Sequence, residues 1–158
     1  MPSLHDLLKA RFAATRQDLR QVLDRLSEQD LDWSPREGMR TIREQLLEIA
    51  DKEVETLGWV ATGSWPDDHE GAFAADASLT EIRARLDAIR ADTLALVDSL
   101  DEESLRKPIA APEIWWEALR LQACPFDEIL RNIAAHEWYH TGQIVTYLWL
   151  MGDDPEAW

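Results

Sequence analysis

From Leu4 to Leu26 apolar residues return at three- and four-residue steps, with Leu4, Leu7, Leu8, Phe12, Leu19, Val22, Leu23 and Leu26 separated by Arg, Gln and Asp. That is the period of one helix face, and it predicts an amphipathic first helix. Ser34-Pro35 and Gly38 then mark a break. Thr41 and Glu44 stand at the spacing of a capping box, so a second helix begins near Thr41 and runs through Ile42, Leu46, Ile49 and Leu57. Gly63, Pro66, Asp67, Asp68 and Gly71 mark a loop, after which Ser78 and Glu81 repeat the capping box ahead of Ile82, Leu86, Ile89, Leu96, Val97 and Leu100. Between Leu105 and Cys124 the period is broken by Pro108 and Pro112, and EIWWEALRL offers room for a short extra helix inside a structured connection. Pro125 suits a first helical position, and Ile129, Leu130, Ile133, Ile144 and Leu148 carry a long last helix to a stop at Gly152. No strand pattern or internal repeat interrupts this reading. Four apolar stripes with little β signal predict an all-α four-helix bundle, a single domain over residues 1–158.

The chain has 158 residues, enough to bury a core without disulfide support. Its formal charge of -15 disfavours nucleic acid and anionic membrane as partners, because carboxylates repel phosphate. One cysteine, Cys124, an N-terminus without a long uncharged apolar run and the lack of a spanning segment lead to the expectation of a cytoplasmic protein.

The chemistry concentrates in the last helix, where HEWYHTGQIVTYLWLMG opens with the HExxH spelling of zinc proteases. On a helix His136 and His140 lie roughly 40° apart, one turn above the other, so both imidazoles can converge on one ion. A protease is still not expected. Gln143 stands where the extended motif needs glycine, no histidine follows His140, and no sheet is foreseen to hold an extended peptide. Without a third ligand the pair reads equally well as two buried, hydrogen-bonded imidazoles.

Together with LDWSPREGMRTIREQLLEIADKE at the second helix, the last-helix motif resembles the DinB/YfiT-like superfamily of four-helix bundles. The resemblance implies one divalent metal held by two last-helix histidines and one second-helix histidine, and a mixed nitrogen and oxygen ligand set suits zinc, nickel, iron or manganese. His136 and His140 match the pair, whereas Glu48 stands at the second-helix position. Two readings of Glu48 follow: it completes a two-histidine, one-carboxylate site, or the site has decayed and Glu48, about 120° from the helix-two stripe, faces solvent. The resemblance further implies a homodimer and activities such as thiol S-transfer with a low-molecular-weight thiol, isomerisation or hydrolysis on a small molecule.

Glu53 falls on the apolar stripe and is expected to pair with an arginine rather than act in catalysis. Glu137 is read as a supporting or surface group, Asn132 and Gln143 as groups that orient an imidazole or substrate, and Tyr139 and Tyr147 as pocket hydroxyls or packing. His5 and His69 are expected in solvent, and Cys124 as a quiet helix-start thiol. Trp33, Trp59, Trp115, Trp116 and Trp149 are expected in the core, a cleft or a dimer contact. The rival from another class is a non-catalytic bundle that binds a small apolar ligand or a protein partner, its metal site lost.

Overall fold

The computed structural model describes residues 1–66, 71–113, 115 and 120–158. Helix α1 spans Leu4–Arg25, α2 Ile42–Thr62, α3 Leu79–Ser99, the short α4 Glu102–Arg106 and α5 Phe126–Leu150. Each of the first three starts at a reciprocal capping box: Ser3 with Asp6, Thr41 with Glu44 and Ser78 with Glu81. In each box the hydroxyl accepts from a first-turn N–H that has no intrahelical partner, and the acid accepts from the cap residue's own N–H. Helix α2 closes at Gly63, whose φ of 75° is left-handed backbone that a side chain would strain.

Two expectations need correction. Strands β1 (Pro108–Ala110) and β2 (Ala123–Pro125) pair antiparallel, Ile109 opposite Cys124, where no strand was foreseen. Pro108 and Pro125 face each other at one end, and backbone bonds flank the ribbon on both sides, from Phe126 N–H to the Lys107 carbonyl and from Ala111 N–H to the Gln122 carbonyl, so the ribbon satisfies backbone groups that the broken helical period leaves open. Pro125 accordingly has extended backbone as the N-cap of α5 rather than its first residue. The short helix foreseen within EIWWEALRL falls mostly on residues outside those described.

Contacts set the helix directions. Arg16 meets Glu137 and Arg25 meets Asp153, so α1 and α5 run parallel; Gln45 meets Tyr147 and Glu53 shares a cluster with Glu137, so α2 and α5 run antiparallel. Arg43 reaches the Ala77 carbonyl and Glu53 pairs with Arg90, which makes α2 and α3 parallel. A parallel pair requires the connection between them to return along the bundle. It does: Ala72 N–H donates to Asp51 at 2.7 Å, and Gly71 lies against the Leu47 side chain.

The apolar core has two halves. One gathers Leu19, Leu23, Leu46, Ile49, Leu86, Ile89 and Ile144; the other gathers Leu8, Phe12, Val97, Leu105, Ile129, Leu130 and Ile133. Between them lies a polar layer with one charged residue from each long helix: Arg16, Glu53, Arg90 and Glu137, all buried. Arg16 donates to Glu137 at 3.2 and 3.0 Å and to Glu53 at 3.5 Å, while Arg90 grips Glu53 at 2.8 and 3.2 Å and also bonds Glu137. A further N–H of each guanidinium reaches a carbonyl, that of Leu86 from Arg16 and that of Phe12 from Arg90. Two cations and two anions cancel, so no uncompensated charge is left in the core.

Candidate metal centre

The antiparallel seam of α2 and α5 brings Glu48 opposite His136 and His140, so that one ligand atom of each lies within 4.8 Å of the others. The two imidazoles meet edge to face with ring centroids 4.5 Å apart. His140 is buried. Its Nδ1 faces two amide oxygens, donating to Gln143 Oε1 at 2.9 Å and to Gln45 Oε1. Two acceptors on one nitrogen require the proton to reside there, which leaves the lone pair on Nε2 free for an ion. Gln45 is fixed in turn by its amide nitrogen, which donates to the buried Tyr147 hydroxyl at 3.4 Å. Edge-on contact with Trp33 holds the Tyr147 ring.

His136 Nε2 is buried without a hydrogen-bond partner among the described residues. Such a nitrogen costs stability unless something accepts from it or binds it. Burial first, and then the neighbouring His140 and Lys52, push its pKa from 6.5 to about 4, with the Glu48 backbone opposing. Burial also lowers the pKa of His140, against the pull of the Glu48 carboxylate. Both rings are therefore neutral near pH 7, the form that ligates metal. Glu48 is half-exposed and ion-paired to Arg40 at 2.7 Å. Two imidazoles and a carboxylate with an orphaned nitrogen among them fit a divalent cation of zinc-like character.

The other expected residues distribute unevenly around this centre. Gln143 orients His140, and Tyr147 does so through Gln45. Tyr139 is exposed, its ring edge against His140 at 5.0 Å. Asn132 is half-buried and, among the described residues, bonds neither imidazole. Glu53 pairs with arginine as expected; Glu137 is neither on the surface nor at the centre, because both its oxygens are taken by Arg16 and Arg90. His5 is half-buried and bonds the Leu100 carbonyl at 2.6 Å, contrary to its expected place in solvent. His69 and Trp116 lie outside the described residues. Cys124 is buried, and burial raises its thiol pKa with Glu128 and Asp127 adding to the effect, so it stays protonated. Trp115 is core and Trp149 is exposed. Sequence reasoning missed Gln45, Arg40, Arg16 and Arg90. For Gln45, Arg16 and Arg90 the available signal was a polar residue standing on an otherwise apolar helical stripe.

Fold and site together define a helical bundle with a two-histidine, one-carboxylate candidate metal centre. The chain belongs to the DinB superfamily, whose family model matches residues 11–144. An uncharacterised protein from Clostridium difficile 630 has a similar solved structure, with 17% identity, TM-score 0.73, and 93% of this chain and 96% of that one covered. A Streptococcus pneumoniae protein is similar at 20% identity and TM-score 0.71, with 93% of this chain and 91% of that one covered. At such identities the likeness is one of fold. No curated protein matches the chain.

Proposed function

We propose that the protein is a metal-dependent enzyme acting on a small molecule, of thiol S-transferase or hydrolase type, with one divalent cation held by Glu48, His136 and His140. The observation that carries this reading is the convergence of the three ligand atoms within 4.8 Å, on neutral imidazoles, one of them with its tautomer fixed. A cation bound there supplies Lewis acidity, which lowers the pKa of a thiol or water so that a nucleophile exists near neutral pH. The chain's own residues hold the geometry: Gln45 and Gln143 keep the His140 proton on Nδ1, and Glu48 contributes one negative charge where a third imidazole would contribute none. Three protein ligands leave positions open for substrate. Glu137 takes no part as a base, since two guanidiniums occupy it. A second copy of the chain is the proposed macromolecular partner, and a cytoplasmic location belongs to the same reading. Among the described residues no helix is long and apolar enough to cross a membrane.

Metal content per chain, measured by plasma mass spectrometry on freshly purified protein, tests the reading. About one metal per chain in the wild type, lost in Glu48→Ala and His136→Ala, is the expected result. A wild type that takes up no divalent ion on incubation would leave the histidines as structural groups and favour the non-catalytic bundle.

A further inference from the structure

The chain carries nearly twice as many acidic residues as basic ones, 31 against 16, yet cations bracket the candidate centre, one just before α2 and one on it. Arg40 pairs with Glu48 from one side. Lys52 lies one turn beyond Glu48, near enough to act on His136. Its ammonium faces the rings of Trp65 and Trp115, 5.0 and 4.9 Å from their centroids. Lys9, by contrast, is closed by Asp98. Among the described residues Lys52 has no ion-pair partner, and burial lowers its pKa although Glu55 opposes the shift. Ring faces attract a cation but replace lost hydration only in part. A partly desolvated ammonium beside a dication is unfavourable until an anion arrives to face both. Arg40 is already engaged by Glu48, which leaves Lys52 as the unspent charge.

We infer that Lys52 is the substrate-recognising residue of the centre, and that the substrate carries a carboxylate beside the atom that meets the metal. Trp65 and Trp115 wall the ammonium, so a bound carboxylate is met in a medium less polar than water, where the charge-assisted hydrogen bond is strengthened. The inference rests on the metal-centre reading.

Cobalt(II)-loaded full-length protein, titrated with mercaptopropionate and with mercaptopropanol, tests it through the thiolate-to-cobalt absorption band. The two probes share a thiolate head and differ in a carboxylate or hydroxyl tail. Wild type should bind mercaptopropionate roughly tenfold more tightly, the size of one charge-assisted hydrogen bond. Lys52→Met should bring the two probes within about twofold while cobalt still binds, and Lys52→Arg should keep the preference. Equal binding of the probes by wild type, or a preference that survives in Lys52→Met, overturns the assignment of Lys52 alone. Failure of wild type to give a cobalt spectrum overturns the metal centre, and this inference with it.

Discussion

Gln45 shapes the candidate centre without being one of its ligands. Its amide oxygen takes the His140 Nδ1 proton and its amide nitrogen is anchored on Tyr147. Gln45→Leu should weaken metal binding by about 10–100-fold while leaving stoichiometry at saturation unchanged, as competition against a chromophoric chelator would show. An unchanged affinity would mean that Gln143 alone suffices. His136 gives a pH prediction for the metal-free protein. Its pKa is depressed from 6.5 to about 4, so between those values the unfolded chain binds a proton that the folded chain does not. Its contribution to stability is fully present above about pH 6.5, falls as the pH drops, and is gone below about 4. Titration of the His136 ring by NMR should give a midpoint near 4; an ordinary histidine value would refute the burial argument. The histidine pair was legible in the sequence because both ligands sit on one helix at a fixed spacing. Gln45 was not, since its role depends on a residue 95 positions away.

At the scale of elements, each long helix contributes one charge to the layer between the two core halves. Arg90→Met would leave Glu53 and Glu137 short of a partner in a buried site. It should cost about 3–5 kcal/mol in urea unfolding, whereas replacing Arg90 and Glu53 together by apolar residues of matching volume should cost less than the sum of the single changes. Additive costs would show that the layer does not act as a unit. Ser78→Ala, which removes the hydroxyl cap of α3, should cost about 1 kcal/mol by the same measurement. The boxes at Thr41 and Ser78 were readable because a cap is decided within four residues. The β1–β2 ribbon was not, because its pairing joins residues on either side of a connection whose course no local pattern specifies.

At the scale of the molecule, α5 presents Trp138, Tyr139, Trp149 and Leu150 to solvent, all more than half exposed. A groove of about 630 Å³ between α1 and α5 is lined in part by Trp138, Val145 and Trp158. If a second copy covers this face, light scattering should give twice the chain mass for wild type and the monomer mass for Trp149→Glu. A monomeric wild type would remove the dimer proposal. Metal should also act on the whole fold, since an ion that binds only the native state at a hundredfold over its Kd adds about 2.7 kcal/mol. For a domain of this size that is roughly 5–10 °C in Tm, and chelator should abolish it in wild type and have no effect on His140→Ala.

The four long helices, the starts at Thr41 and Ser78 and the one-turn spacing of His136 and His140 are properties of short stretches, which is why the sequence by itself determined them, whereas the short α4 was not foreseen. Glu53 was readable as paired, since a carboxylate on an apolar stripe has few alternatives. The direction of Glu48 was not: it lies off the stripe of its own helix, and only the antiparallel seam with α5 decides whether a half-exposed side chain meets two imidazoles or water alone. The same holds for the parallel course of α2 and α3, the partners of Glu137 and the amide that fixes His140. These depend on contacts between residues far apart in the chain, which tertiary packing alone brings together.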